Sequence, residues 1–311
     1  MSVPTAGTSK KGLFSQQDYL APLAIPTGEA AVDMVNVIWR KNDVYLDIGS
    51  YSVGSGLMVL WPLVILFLGL GIGFKDVSPQ LSHYIFLLGG IIVGIPILML
   101  IYSLFQPTPL PIRFNRQRRE VCVPRENGKC WIVPWESVTA VTSEHSTVSQ
   151  VGPHSMGMLF VGFDNPDLNA EQENKNFFFG FNCGKSEGAM AQWECMRSYM
   201  EIGPQVVKDN SARFHHPKGI LATYVDSLFI AAERKGWFMT LVWEGFCGVF
   251  IFNTFLIDAL ERLKLYPLPE FSSPEIIEWS KPLPPEQWAK RSPELERAIA
   301  AREAELAARG P

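Results

Sequence analysis

The sequence predicts an α+β membrane protein: a transmembrane helical hairpin, an antiparallel β domain closed by a helix, then a long hydrophobic helix and a proline-rich tail. Three observations predict this fold class. Residues 57–74 and 84–105 are two apolar runs without a charge. Residues 108–203 alternate polar and apolar side chains in short stretches and then change to helical spacing. Residues 237–256 form a third apolar run, and prolines crowd the segment after it.

The composition fits a membrane protein better than a soluble one. The chain has 311 residues, 47% of them hydrophobic and 19% charged, with a mean hydropathy of +0.09. The net charge of −4 gives no bulk basic signal, so nucleic acid is not an expected partner. The N-terminus contains no apolar run long enough for a secretory signal peptide. The five cysteines are scattered, which disfavours a disulfide framework or a zinc site.

The first two apolar runs are each long enough to cross a membrane. At 1.5 Å per residue they reach across a hydrocarbon core of roughly 30 Å. The connector between them is short, so an antiparallel hairpin is expected; the alternative is a pair of buried core helices. Glycines at four-residue spacing predict close contact between the helices. These glycines are Gly69, Gly73, Gly90 and Gly94.

Basic residues flank the hairpin on both outer sides. Arg40 and Lys41 precede it, whereas the connector holds only Lys75 beside Asp76. By the positive-inside rule, both ends of the hairpin and the β domain face the cytoplasm. A basic cluster follows the hairpin and is expected to fix this topology and to lie near anionic lipid headgroups; a specific phosphate site is the alternative. The cluster consists of Arg113, Arg116, Arg118 and Arg119.

The third apolar run, residues 237–256, carries polar residues within it. Thr240 and Glu244 fall on one helical face, and Asn253 comes later. We expect these polar groups to pack against the hairpin, because a central acidic residue is costly in a lone spanning helix. Two interpretations stay open: the run spans the membrane, or it lies buried against the β domain. A proton pathway through Glu244 is a further hypothesis.

The segment after the hairpin reads as a β domain. "REVCVPRENGKCWIVPW" contains two strand-like stretches around Asn127-Gly128, which is a strong hairpin signal. "SEGAMAQWECMRSYMEIG" then reads as a helix with Ser186 as its N-cap. An earlier strand candidate, residues 43–51, is placed to join the same sheet, with the membrane hairpin inserted between.

The tail changes composition again. Prolines recur from Pro267 to Pro285, and residues 292–310 read as a solvated helix rich in alanine and glutamate. Phe271, Trp279 and Trp288 are anchor candidates. They predict either a strap packed over the chain's own domain or a docking surface for a partner.

Two resemblances follow from these residues. "IVPWESVTAV" (132–141), placed after a helical hairpin, resembles bacterial PH-like membrane proteins and implies a PH-like β domain. A narrower resemblance is to an uncharacterised bacterial inner-membrane family associated with type VI secretion effector loci, whose members look like immunity or accessory proteins. It is carried by "NDVYLDI" (42–48), "PIRFNRQRREV" (111–121), "PWESV" (134–138) and "PEFSSPEIIEWS" (269–280).

The sequence offers no catalytic constellation. It lacks an H-E-x-x-H motif, and Gly184-Lys185-Ser186 lacks the full P-loop spacing. We therefore expect a binding protein without cofactor or metal, not an enzyme. The resemblance implies a multi-pass protein of the bacterial inner membrane that binds a secreted toxin or a secretion-system protein; a PH-like scaffold or sensor reading lipid is the alternative. Membrane lipid is an expected partner, and a homo-oligomer stays open.

These expectations divide the chain into six segments. They are an N-terminal tail (1–41), a strand segment joining the β domain (42–56), the transmembrane hairpin (57–105), the PH-like β domain (108–203), a long hydrophobic helix and possible third span (218–265), and the proline-rich strap with its terminal helix (266–311).

Overall fold

The computed structural model describes residues 4–49, 51, 53–125, 128–149, 152–167, 169–208 and 219–309. Its chain separates into two compact units. The first, which we call the β domain, takes the segments Met1–Gly49, Leu110–Ser211 and Phe271–Pro311. The second, the helical unit, takes Ser50–Pro109 and Ala212–Glu270. The α+β class and the presence of two long apolar helices are therefore confirmed.

The described elements follow one another in this order. The strands are β1 (Ser9–Lys11), β2 (Ser15–Ala21), β3 (Ile38–Lys41), β4 (Tyr45–Ile48), β5 (Ile112–Asn115), β6 (Glu120–Pro124), β7 (Cys130–Pro134), β8 (Thr139–Ser149), β9 (Gly152–Asp164) and β10 (Asn176–Gly184). The helices are α1 (Val53–Gly73), α2 (Pro79–Gly89), α3 (Ile95–Phe105), α4 (Ser186–Glu201), α5 (Ile220–Lys235), α6 (Trp237–Thr240), α7 (Thr254–Leu265), α8 (Pro274–Trp279) and α9 (Pro293–Arg309). Two π-helical segments, Gly90–Gly94 and Leu241–Ile251, lie between α2 and α3 and after α6.

Two antiparallel sheets form the β domain. The first has the strand order β1-β2-β8-β9-β10, and the second has the order β3-β4-β5-β6-β7. In the second sheet β4 pairs with β5, so the sheet continues across the point where residues 53–105 are inserted. Within the β6–β7 hairpin Val121 lies opposite Val133, and Gly128 has a φ of +70°, a left-handed conformation that glycine adopts without strain. Asn127, the other residue of the predicted turn, lies outside the described residues.

One core joins both sheets to α4. Phe114 of the second sheet contacts Phe163 of the first, with ring centroids 6.5 Å apart. Trp193 of α4 stacks on Trp135 at 5.5 Å. These large side chains are almost fully buried, and burial of such apolar surface is the main stabilising term of the domain. The helix begins after Lys185 as its N-cap residue, so Ser186, the predicted cap, is the first helical residue instead.

The N-terminal segment differs from the predicted tail. Residues 9–41 contribute β1, β2 and β3. The stretch "SQQDYLA" of β2 has few of the β-branched and aromatic residues that mark strands. It becomes a strand because β8, far along the chain, supplies its hydrogen-bond partners, with Tyr19 opposite Val141. Local sequence carries no trace of that pairing.

Two helices of the helical unit are long and apolar enough to cross a membrane. They are Val53–Gly73 with 21 residues and Pro79–Phe105 with 27 residues. Ser78 caps the second, where its Oγ accepts a hydrogen bond from the Leu81 amide, and Pro79 occupies the first turn. The π-helical segment Gly90–Gly94 lies just before Pro96, a residue with no amide proton to donate.

The third apolar run is not one straight helix. It consists of α6, the π-helical segment Leu241–Ile251 and α7, and the part before Phe252 meets α7 at a bend of 65°. At the bend Asn253 adopts a left-handed conformation, with a φ of 52°. Its side chain then accepts a hydrogen bond from the Leu256 amide and caps α7. The break therefore has an identifiable local cause in Asn253.

Candidate functional site

Arg113 lies inside the β domain. Its Nε and Nη2 donate to the two carboxylate oxygens of Asp47 at 2.6 and 2.7 Å, and its Nη1 donates to Ser280 Oγ at 2.8 Å. The guanidinium carbon lies 3.7 Å from the ring centroid of Tyr45 and 4.9 Å from that of Phe271. Because Asp47 and Arg113 are opposite each other on β4 and β5, the register itself creates this bidentate pair. Arg113 thus connects the second sheet to the tail.

Glu201, at the end of α4, is the centre of a second buried network. Arg119 donates to both of its carboxylate oxygens, at 3.1 and 2.8 Å, and Trp135 Nε1 donates to one of them at 2.7 Å. Arg291 of the tail donates to the same carboxylate at 2.6 Å. Arg119 also contacts Glu136 at 3.2 Å. One carboxylate therefore joins the helix, the second sheet and the tail.

The network changes the acidity of this carboxylate. Burial by itself would raise the pKa of Glu201, because desolvation disfavours the charged form. The hydrogen bonds and positive charge of Arg119, with further contributions from Trp135 and Arg291, outweigh burial and lower the pKa below its ordinary value. Glu201 is therefore held as a carboxylate.

The other two arginines of the cluster also contact the domain. The Arg118 Nε donates to the carbonyl oxygen of Trp279 at 2.9 Å, and the Arg116 guanidinium lies 5.3 Å from the Trp288 ring centroid. The side chains of Arg113 and Arg119 are only 6% and 8% exposed. Both side chains are buried in ion pairs with Asp47 and Glu201, which leaves little of their surface for contact with lipid headgroups. Their part in fixing membrane topology stays a prediction.

The tail packs on the β domain as a strap. Phe271 and Trp279 are buried, and Trp279 Nε1 donates to the Glu120 carboxylate at 2.6 Å. Both rings pack with Cys122 in a small apolar cluster. Trp288, by contrast, is 37% exposed. Of the three predicted anchors, two are therefore internal, and Trp288 is the one that a partner could reach.

The cluster beneath the strap contains two free thiols. Cys122 is fully buried and Cys130 is half-buried. A hydrogen bond with Cys130, together with burial, raises the pKa of Cys122, and the same hydrogen bond lowers the pKa of Cys130. Cys122 is thus an unreactive thiol while the strap is in place.

An exposed apolar surface lies at one end of the first sheet; we call it the apolar end and define it by Leu13, Phe14 and Met156. Their exposed fractions are 92%, 64% and 51%. The carbonyl oxygen of Phe14 accepts a hydrogen bond from the Ser146 amide at 2.9 Å, and Met156 lies opposite His145 on the neighbouring strand. The three side chains therefore belong to one end of the sheet. Clustered exposed apolar side chains of this kind mark contact surfaces.

Helix contacts within the hairpin use glycines other than the predicted ones. A Cβ atom on Gly71 would lie 2.5 Å from the Phe86 ring, and one on Gly89 would lie 2.8 Å from Phe67 Cβ. Ser82 Oγ also donates to the Gly71 carbonyl oxygen at 2.7 Å. A Cβ atom on any of the glycines predicted from four-residue spacing would meet no atom within 4 Å. These are Gly69, Gly73, Gly90 and Gly94, and a helix contact through them stays a prediction.

The polar residues of the third run have partners close in sequence. Thr240 is fully buried and donates to the Gly236 carbonyl oxygen at 2.9 Å. Glu244 forms an ion pair with Lys235 of α5. Asn253 caps α7. The polar contacts of these three side chains therefore lie within residues 220–265, and their packing on the hairpin stays a prediction. One contact with the hairpin comes from Trp61, whose Nε1 donates to the Phe250 carbonyl oxygen at 3.0 Å.

Within the described part of the chain, no group of three His, Cys, Asp or Glu side chains could hold a metal ion. His215 and His216 lie outside the described residues. The buried ion-pair partners Asp47 and Glu201 were missed in the sequence. One signal was available for Asp47, since it is a charged residue within the apolar strand "YLDI".

The chain was compared with protein families, curated proteins and solved structures. No protein-family model, no curated protein and no solved structure matches the chain.

Proposed function

We propose that the chain is a membrane-anchored protein that acts by binding a protein partner through its β domain and not by catalysis. The observation that carries this proposal is the apolar end, where Leu13, Phe14 and Met156 expose 92%, 64% and 51% of their surface. A folded domain with a buried core of its own gains nothing from exposing these side chains, whereas a partner would cover them.

The helical unit supports the anchoring. At 1.5 Å per residue, the 21 residues of α1 reach about 32 Å, enough for a hydrocarbon core of roughly 30 Å. Large apolar side chains point away from the unit, for example Ile72, Leu98 and Phe105, which are 65%, 66% and 82% exposed. Water would disfavour so much exposed apolar surface, and lipid would accept it.

The chain path supports two crossings and a third run that returns to its own side. Val207, before the third run, and Phe271, after it, both belong to the β domain. A folded domain lies on one side of a membrane. A single crossing between Val207 and Phe271 would place parts of the β domain on opposite sides, so the segment between these residues must return to the side on which it starts. The four residues Trp237–Thr240 and the eleven residues Leu241–Ile251 also reach only about 22 Å at 1.5 Å per residue. We infer a re-entrant or interfacial segment.

The side of the membrane is proposed from charge. Arg40 and Lys41 precede the hairpin and four arginines follow it, against Lys75 alone in the connector. By the positive-inside rule this favours a cytoplasmic β domain in the bacterial inner membrane. The two sheets and the closing helix α4 are compatible with the PH-like fold that the sequence resembles.

The partner class rests on the resemblance alone. The four sequence pieces that resemble the type VI secretion-associated family suggest a secreted toxin or a secretion-system protein as the partner, with the chain as its immunity or accessory protein. The lipid-reading alternative is less favoured, because Arg113 and Arg119 are engaged in buried ion pairs.

The test separates anchoring from binding. Membranes from cells that express the full chain are washed with carbonate and sedimented, and the chain should stay in the pellet until detergent is added.

Photo-crosslinking from residue 14 should then capture a protein, and co-expressed toxin should be captured and neutralised. The double variant Leu13→Asp/Phe14→Asp should abolish capture, while Ile202→Asp, at another exposed apolar site, should not. Equal capture by both variants would remove the apolar end from the proposal.

A further inference from the structure

The helical unit contains a cavity of about 360 Å³ whose lining combines apolar surface with several polar and charged side chains. It lies where α5, the π-helical segment and α7 come together. The bend at Asn253 brings the start of α7 beside α5, and a π-helical segment inside an apolar run often marks a functional position. The polar side chains that line it are Tyr224, Ser227, Arg234, Glu244, Thr254 and Asp258.

The three hydroxyl groups present only acceptors to this cavity. Tyr224 Oη donates to the Glu244 carbonyl oxygen at 2.6 Å, and Ser227 Oγ donates to the Tyr224 carbonyl oxygen at 2.6 Å. Thr254 Oγ1 donates to the Gly248 carbonyl oxygen at 3.2 Å. A hydroxyl has one proton to donate and two lone pairs to accept with. Because each proton is used on the backbone, the lone pairs are what remains for a ligand.

Carboxylates strengthen this acceptor character. Glu244 and Asp258 both line the cavity. Glu244 already forms an ion pair with the ammonium group of Lys235, a residue outside the lining. The protein itself therefore provides an example of a primary ammonium bound by this carboxylate. The chemical complement of hydroxyl lone pairs and carboxylates is a cation with several N–H donors. A primary ammonium offers three such donors, and a quaternary ammonium offers none.

The cavity also has a positive group and an apolar border. Arg234 lines it and supplies a guanidinium, which suits a phosphate. Ile230 lines it too and is 68% exposed, and Phe229 and Val225 on the same helix are 54% and 44% exposed. A ligand that satisfies all of these features has a phosphate, a primary ammonium close to it, and hydrocarbon beyond both.

We propose that this cavity binds the head group of a phospholipid whose phosphate is esterified to an alcohol that carries a primary amine, as in phosphatidylethanolamine. The ammonium is held by Glu244 and the hydroxyl oxygens, the phosphate by Arg234, and the acyl chains lie along Ile230 and Phe229. The proposal rests on the membrane anchoring proposed above, and it adds a specific lipid to that function.

The experiment compares two lipids that differ only in the amine. Full-length protein in detergent micelles is titrated with tail-labelled phosphatidylethanolamine and phosphatidylcholine of identical acyl chains. Both head groups carry a phosphate and a positive charge, but choline has no N–H donor. We expect ethanolamine lipid to bind about tenfold more tightly, the difference that one or two charge-assisted hydrogen bonds supply. Equal affinities for the two lipids would overturn the proposal.

Substitutions test whether the preference for ethanolamine lipid comes from the residues that line the cavity. Glu244→Gln should reduce the preference for ethanolamine lipid to about twofold, while Glu233→Gln, the same change at an exposed position of α5 outside the lining, should leave it unchanged. Since Glu244 also pairs with Lys235, Thr254→Val provides a second test that keeps this ion pair. Arg234→Gln should weaken both lipids together. Retention of the full preference in Glu244→Gln and Thr254→Val would exclude this cavity as its source.

Two further measurements distinguish a failure of the lipid proposal from a failure of the proposed anchoring. Soluble glycerophosphoethanolamine should compete only at far higher concentration than the lipid; equal competition would assign the cavity to a free head group and overturn the lipid proposal. Sedimentation of the chain with membranes is scored separately. A chain that discriminates between the two lipids in micelles but does not sediment would contradict the proposed anchoring while leaving the cavity's specificity established.

Discussion

Asp47 and Arg113 lie opposite each other on β4 and β5, and both side chains are almost fully buried, 1% and 6% exposed. Residues 53–105 of the helical unit separate them in sequence. The pair therefore joins the two strands across the inserted hairpin, and a buried charge that loses its partner is costly.

Removal of one member of this pair should destabilise the β domain. We expect Arg113→Gln to lower its free energy of unfolding by about 3 kcal/mol, because the buried Asp47 carboxylate would lose its bidentate partner and keep the longer contact with Arg40 at 3.4 Å. Hydrogen–deuterium exchange of the β4 and β5 amides in the full-length protein measures the change. Lys281→Gln, which removes an exposed ion pair with Glu278, is the matched control and should cost less than about 1 kcal/mol. Similar losses in both variants would contradict a structural role for the buried pair.

The Glu201 network predicts that the β domain loses stability at acidic pH. The pKa of Glu201 is lower in the folded domain than its ordinary value, so the unfolded chain takes up the proton first as the pH falls. The stabilisation is therefore complete above the ordinary pKa and is lost as the pH decreases through the lowered folded value. Thermal unfolding measured from pH 7 to pH 3 should show this loss, and Glu201→Gln should flatten it. Glu278→Gln, at an exposed carboxylate, should leave the loss of stability at acidic pH unchanged.

The strap should protect the buried thiol. Trp279→Ala removes a buried ring and its hydrogen bond to Glu120, and we expect a loss of about 3–5 kcal/mol in the stability of the strap. Alkylation of Cys122, followed by peptide mass spectrometry, should accelerate at least about tenfold, since exposure of the thiol follows the opening of the strap. Trp288→Ala is the same substitution at a ring that is 37% exposed, and it should cost about 1 kcal/mol or less. Unchanged alkylation in Trp279→Ala would show that the strap does not cover this thiol.

Two adjacent glycines should respond differently to one added methyl group. In Gly89→Ala the new Cβ would lie 2.8 Å from Phe67 Cβ, so the helices of the hairpin must separate, at a cost of about 1–3 kcal/mol. In Gly90→Ala the Cβ would meet no atom within 4 Å, so stability should be equal or higher. Thermal unfolding in detergent measures both. A larger loss in Gly90→Ala would reassign the contact to the face predicted from spacing.

The sequence predicted elements whose signal is local. The uncharged runs 57–74 and 84–105 correspond to the helices Val53–Gly73 and Pro79–Phe105, and the "SEGAMAQWECMRSYMEIG" pattern corresponds to α4. Hydrophobic length and helical periodicity are properties of neighbouring residues, so they are visible without the fold.

The features that could not be predicted depend on pairing between distant residues. β2 is a strand because β8 lies beside it, and Arg113 and Arg119 are buried because Asp47 and Glu201 face them. In sequence, a basic cluster beside a membrane segment has the same appearance whether its partners are lipids or carboxylates. The polar cavity was similarly hidden, since its lining comes from helices on both sides of a bend at Asn253.

The division of the β domain among three chain segments has a consequence for biosynthesis. Its last buried residues, Leu295 and Ile299, belong to α9, near the end of the chain. Both long apolar helices have therefore been synthesised before the domain holds all of its core. Under the proposed anchoring, the helices are available for insertion before the two sheets are complete.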